Sequence, residues 1–244
     1  MRNYRLENKY KLALSSSSVG MQTKYERNGY YYKLDTAGRE SLVEYLVTLV
    51  LNHSTIRHYV RYEYCRVNDR LACRSKDFTD DDIFITTENL YEIVTGGVNL
   101  SDKLSSLMDA TLRYKYLLEL YSCIGLNAEM YIKTLLYLDM LIKNTDRHAK
   151  NYGVLLKNDR YSFAPIFDNG LSLHTVPDRV CSSTICGDFE SQVVATGYPL
   201  VSPFKINYTT LKLELDKLDE GIKKTKEYRI LCSQLDKYHK IFKL

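Results

Sequence analysis

The chain has 244 residues and a formal net charge of +4, from 34 basic and 30 acidic side chains, and 45% of its residues are hydrophobic. That is enough apolar material for one large domain or for two small lobes around a cleft. The charge is too mild to argue for direct nucleic-acid binding. No apolar run reaches bilayer length, so a membrane is not expected as a partner.

The N-terminal segment lacks the apolar stretch of a signal peptide. The six cysteines are Cys65, Cys73, Cys123, Cys181, Cys186 and Cys232. They form no C-x-x-C pair, and no histidine lies at zinc-finger spacing from them. They read as reduced thiols of a cytoplasmic protein.

Residues 1–14 alternate weakly and predict one strand. A serine run, Ser15 to Ser18, leads into Val19-Gly20. Asn28-Gly29 is a turn signal opening a strand through Leu34. Residues 38–52 read as a helix, apolar at Leu42, Val43, Leu46, Val47, Leu49 and Val50. Residues 58–67 alternate as a strand, and an acidic loop, Thr79 to Asp82, breaks the pattern. Helices are predicted over 103–123 and 128–143, a hairpin over 152–156 and 161–167, and closing helices over 208–219 and 222–241.

Strands therefore gather in the first third and helices in the rest. This order predicts an α+β, two-lobed architecture with a small β-rich lobe (1–95) and a larger helical lobe (96–244). A hinge is expected between residues 67 and 100.

The stretch most informative about chemistry is Leu141-Ile142-Lys143-Asn144-Thr145-Asp146-Arg147-His148-Ala149-Lys150-Asn151-Tyr152-Gly153. Pro165-Ile166-Phe167-Asp168-Asn169-Gly170 follows shortly after. Phosphoryl transfer needs a carboxylate for the attacking hydroxyl and oxygen donors that hold Mg²⁺ against phosphate. Asp146, Asn151 and Asp168 supply that set in kinase order. Each has a plain alternative: Asp146 as a loop or cap residue, Asn151 as a turn residue, and Asp168-Asn169-Gly170 as a type I′ hairpin turn. Their joint occurrence after a long apolar helix favours the chemical reading.

These segments, LIKNTDRHAKNYGVLL and FAPIFDNGLSL, resemble the C-terminal catalytic part of HipA-like serine/threonine kinases, a family with a protein-kinase-like two-lobed fold. The resemblance covers roughly residues 15–210, strongly over 138–174. It implies ATP and Mg²⁺ as cofactors, Asp146 as catalytic base, and Asn151 and Asp168 as metal ligands. Asn169 stands where a protein kinase has Phe, and Asn144-Thr145 where it has His-Arg. The family's histidine two residues after the base corresponds to His148, which by the resemblance orders the loop and belongs to the ATP-binding residues. Lys150 either meets the γ-phosphate or is solvated.

In the first lobe, Ser17 to Lys24 is similar to the family's phosphate loop, with Ser18, Val19, Gly20 and Gln22 at its centre. Backbone N–H groups of small residues can approach phosphate oxygens closely. The resemblance assigns Lys33 to the α- and β-phosphates of ATP. Glu40 and Glu44 share one helix stripe, so geometry leaves its partner open; the resemblance favours Glu44. Residues 84–91 are the expected hinge contact for adenine.

The function implied is a serine/threonine protein kinase acting on a protein substrate such as a translation factor. Autophosphorylation at Ser15, Ser16, Ser17 or Ser18 and an antitoxin partner come with the resemblance. The chain is shorter than the fullest members and is expected to lack their N-terminal subdomain. A lipid or small-molecule kinase, a nucleotide-binding pseudokinase, and a metal hydrolase using Asp146, His148 and Asp168 are the alternatives.

Overall fold

Three two-residue turns organise most of the strands. Asn28-Gly29, Asn68-Asp69 and Asn158-Asp159 all hold positive φ, between 47° and 72°. That pairing is the type I′ geometry whose twist matches the strands on either side. In this computed structural model, residues 1–12, 22–36, 38–97, 99–174, 188–197 and 200–244 are described. Ser15, Ser16, Ser17, Ser18, Val19 and Gly20 lie outside them.

The first turn joins β2 (Lys24–Arg27) to β3 (Tyr30–Leu34), and the second joins β4 (Glu63–Val67) to β5 (Arg70–Lys76). With β1 (Arg2–Tyr4) they form a sheet in the order β1-β4-β5-β3-β2, antiparallel except for the β1·β4 pair. β5 was not anticipated, although its Asn-Asp turn is a hairpin signal. The expected strand over 58–67 is shorter. Residues 58–60 leave the sheet and lie beside Ile166: the Val60 N–H donates to the Ile166 carbonyl at 2.9 Å, and the Ile166 N–H to the His58 carbonyl at 3.0 Å.

Helix α1 (Glu40–Asn52) spans the predicted 38–52 segment and is buried along nearly its whole length. Its apolar side chains point in all directions, as in a helix inside a core. It packs on β4 and β5 and against the C-terminal helices.

From Lys76 the chain crosses by residues 77–82 to β6 (Ile83–Thr86), which pairs with β7 (Gly153–Lys157) and not with the first sheet. With β8 (Arg160–Phe163) it makes a second sheet in the order β6-β7-β8. Gly153 allows this pairing: a Cβ there would sit 2.1 Å from the Ile85 carbonyl oxygen. Phe78, in the crossing segment, stacks on Phe167 and meets Phe84 edge-on.

The helical part contains α2 (Thr87–Thr95), α3 (Leu100–Ser105), α4 (Ala110–Ser122), α5 (Glu129–Ile142), α6 (Phe189–Val194), α7 (Tyr208–Asp216), α8 (Glu220–Lys223), α9 (Lys226–Lys237) and α10 (His239–Phe242). The single helix expected over 103–123 is two. Asp109 breaks it, because its carboxylate accepts the Leu112 N–H and starts α4. Thr225 divides the second closing helix in the same way, capping Tyr228, while Asp219 caps Gly221 at the expected gap between the two closing helices. Helix α5 is the centre of the large lobe, and every residue from Leu135 to Ile142 is buried. Its end is sharp: Lys143 adopts φ 53° and turns the chain out toward Asp146.

Candidate active site

Three distant parts of the chain meet at one ammonium group. Strand β3 brings Lys33, α1 brings Glu44, and the segment after β8 brings Asp168. Lys33 Nζ donates to Asp168 Oδ1 at 2.8 Å and lies 3.8 Å from Glu44 Oε1. The same nitrogen sits 5.4 Å from the centre of the Tyr62 ring. Glu44 uses its other oxygen to accept the Asn169 N–H at 3.1 Å, tying the Asp168 segment to α1. The choice between Glu40 and Glu44 is thereby resolved geometrically. Glu40 lies a turn earlier, beside Gly170 at the edge of the same cavity.

That cavity measures about 440 Å³ and lies between the lobes. Gln22, Lys33, Glu44, Asp146, His148, Asn151 and Asp168 all reach it. Lys24 and Cys73 line it as well, from β2 and β5. Lys150 is exposed on the loop and does not line it. Residues 84–91 form β6 and the start of α2 and are also absent from its lining. Asp168-Asn169-Gly170 is no hairpin turn. Asp168 holds φ 58°, Asn169 is buried, and the chain continues across the lobe.

The loop from Asn144 to Asn151 is held by its own side chains. Asn144 Oδ1 accepts the Asp146 N–H at 2.9 Å, and the Asp146 carbonyl accepts the Asn151 Nδ2 amide at 2.9 Å. The second contact leaves the Asn151 side-chain oxygen as its acceptor on the cavity. Beneath the loop lies Arg147, fully buried. Its guanidinium pairs with Asp139 of α5 at 3.1–3.2 Å. It also donates to the carbonyls of Asn151 and Phe167 and to Asn169 Oδ1. One side chain thus sets the positions of both metal-donor candidates relative to each other.

Electrostatics separate the three carboxylates. Burial works to raise the Asp168 carboxyl, but Lys33, with its hydrogen bond, and the charges of Lys24 and Arg147 hold it below the ordinary value. Asp146 is raised, chiefly by burial, with the Asp168 charge adding and His148 opposing. Burial also opposes the charge of Lys33, and Asp168, Tyr62 and Glu44 more than offset it, keeping the ammonium well above its usual range. Burial, aided by Asp168 and opposed by Lys33, pushes Glu44 up to about 7.

The Glu44 shift has a measurable consequence. Its folded value lies above the ordinary 4.5, so the folded protein binds this proton more tightly than the unfolded chain does. The stability it contributes is full below about pH 4.5 and is lost as pH rises through about 7. Thermal unfolding of wild type should therefore weaken between pH 5 and 8 relative to Glu44→Gln, by at most about 3 kcal/mol. Parallel profiles for the two proteins would rule this out. The depressed Asp168 acts in a different window, below its ordinary value of 3.8.

Several of these residues were not anticipated. Asp139 stands alone in the apolar run Leu136 to Ile142, and a charge there signals a buried partner. Arg147 lay inside the motif but was given no role. Lys24 closes the Ser17–Lys24 stretch likened to a phosphate loop but was given no role of its own, and Tyr62 carries no sequence signal beyond its alternating segment. Among the described residues no group of three or more His, Cys, Asp or Glu lies in metal-ligating geometry.

The sequence itself matches no protein-family model and no curated protein. Its structure does have relatives. It is similar to the Helicobacter pylori proinflammatory kinase CtkA at 15% identity and a TM-score of 0.61, over 88% of this chain and 90% of that one. A weaker likeness, at 11% identity and a TM-score of 0.48, covers 95% of this chain and 66% of the Shewanella oneidensis MR-1 toxin HipA, solved with HipB and operator DNA. The chain shares with the Helicobacter pylori kinase its overall fold, a small sheet-rich N-terminal part and a helical C-terminal part.

Proposed function

We propose that this chain is an ATP- and Mg²⁺-dependent phosphotransferase, a serine/threonine protein kinase of HipA-like type. The observation that carries the proposal is the meeting of Lys33, Glu44 and Asp168 across one cavity from Asp146 and Asn151. Neither half of the chain contains these parts alone.

The donor set fits magnesium bound with a nucleotide. Mg²⁺ takes hard oxygen ligands, usually one or two carboxylates plus phosphate oxygens and water. Asp168, held ionised, and the Asn151 side-chain oxygen are the residues that would hold it. When bound, the ion neutralises charge on the phosphate oxygens.

The chain's own groups do the rest. Lys33 is a permanent cation in a low-dielectric site and neutralises the α- and β-phosphates. Glu44 keeps it there by holding both the ammonium and the backbone of Asn169. Asp146 accepts the proton of the acceptor hydroxyl as that oxygen attacks. Its raised basicity suits it to the task, and its half-exposed position leaves room for an acceptor. The hydrogen bonds that fix its backbone limit where the carboxylate can point, which lowers the entropic cost of alignment.

The acceptor belongs to the same proposal. Resemblance supports a serine or threonine hydroxyl, on a protein such as a translation factor or on Ser15 to Ser18 of the chain itself. A cytoplasmic setting and an antitoxin partner are part of this reading. The test is incubation of the purified protein with Mg-ATP, alone and with cell lysate, followed by intact-mass and phosphopeptide analysis. Phosphate on Ser15 to Ser18 or on a lysate protein is expected. Transfer only to lipid or a small molecule would overturn the protein acceptor, and no transfer at all would overturn the kinase reading.

A further inference from the structure

A second concave site lies beside the catalytic loop and has no part in the chemistry described above. It measures about 300 Å³ and is lined by Lys143, His174, Lys226, Arg229, Ser233 and Gln234. Its described lining carries no carboxylate.

Its position follows from hydrogen bonds. The chain on either side of the catalytic loop runs beside the segment after Asp168. The Leu173 N–H donates to the Ile142 carbonyl at 2.9 Å, and the Thr145 hydroxyl to the Leu171 carbonyl at 3.4 Å. This pairing puts Lys143 next to His174 at one end of the two segments. Asp146 and Leu171, both on the active cavity, are at the other. Asp146 lies three positions after Lys143, and His174 three positions after Leu171. Three residues of extended chain span at most about 11 Å.

The opposite wall is helix α9. Lys226, Arg229 and Ser233 fall on one stripe of it, at spacings of three and four. Lys226 is its first residue and Arg229 lies one turn on. Cations at a helix N-terminus run against the helix dipole and are unfavourable there. Glu227, also in the first turn, suits the dipole but does not line the pocket, so the wall that the pocket meets at the positive end of this 12-residue helix is formed by the two cations. A bound anion reverses the sign of that interaction.

We infer that this pocket is a recognition subsite for an acidic side chain of the phosphoacceptor, so that the preferred substrate is an acidic peptide. The ligand's role as an acceptor flank rests on the kinase reading; its charge does not. A pocket of about 300 Å³ has room for a short acidic side chain among these cations. A polyanionic backbone would instead call for an extended basic stripe. The distance to Asp146 places the acidic residue about two to four positions from the accepting hydroxyl.

The test uses the full chain and three labelled probes: a serine peptide flanked by glutamates, the same peptide with glutamines, and an oligonucleotide of equal charge. Wild type is expected to bind the glutamate peptide about tenfold more tightly than the glutamine one. Lys226→Glu/Arg229→Glu should abolish the preference, and in the phosphotransfer assay raise KM for the glutamate peptide about tenfold with kcat and KM for ATP unchanged. Lys226→Gln/Arg229→Gln, expected to give a smaller loss, serves if charge reversal impairs folding. Retained preference in a folded variant would overturn the inference, as would an oligonucleotide that binds as well as the peptide and is lost with it. A preference in binding with no turnover on any peptide would instead leave this subsite standing and remove the kinase reading.

Discussion

Asp146→Asn is expected to lower kcat by about 10²–10⁴-fold while leaving nucleotide binding intact. The substitution keeps the size and shape of the side chain and removes only its ability to take a proton. Asp146 makes no contact with Lys33, whose partners are Asp168 and Glu44. The loop around it is held through backbone groups of residue 146, which Asn retains. Single-turnover phosphotransfer and a Mg-ATP thermal shift, measured on one preparation, check both halves of the expectation. Asp168→Asn is the contrasting variant. It removes the closest partner of Lys33 and a candidate metal donor together, so it should lose the thermal shift as well as turnover. An Asp146→Asn protein that keeps more than about a tenth of wild-type kcat would show that another group takes the proton.

The parts of this site legible in the sequence were those with fixed local spacing. Asp146, Asn151 and Asp168 sit within one loop and one following segment, so their order alone suggested their chemistry. Helices α1 and α5 were legible because their apolar runs are long. Glu44 was distinguished from Glu40 by resemblance, because two residues four apart on a helix look alike until a partner is placed. Tyr62 illustrates the limit. It reaches Lys33 only because β4 and β5 bring distant segments together, and no local pattern encodes that. Helix breaks at Asp109 and Thr225 were missed for a different reason. Each is a capping side chain inside a helix-favouring stretch, and capping wins where the apolar stripe pauses. The Asp168-Asn169-Gly170 string was misleading in the opposite sense, since its composition is that of a hairpin turn. Arg147 makes it something else, by taking Asn169 Oδ1 at 2.6 Å and burying it.

That arginine is the position where the fold should fail first. Arg147→Ala is expected to cost about 3–5 kcal/mol, because it strands the buried Asp139 carboxylate without a counter-charge. In a chain of this length that corresponds to a fall in Tm of roughly 10 °C. Arg147→Lys should recover little of it. A lysine ammonium is one point charge, whereas the guanidinium reaches Asp139, two carbonyls and Asn169 together. The double variant Asp139→Leu/Arg147→Met separates the two contributions. It removes both charges and should regain much of the lost stability, since an apolar pair of similar volume can replace a buried ion pair. It cannot regain the links from Arg147 to the Asn151 and Phe167 carbonyls. Its phosphotransfer rate should therefore stay low even where its Tm recovers. Recovery of both together would mean that Arg147 supports stability alone and has no part in holding Asn151 and Asp168 at their working separation.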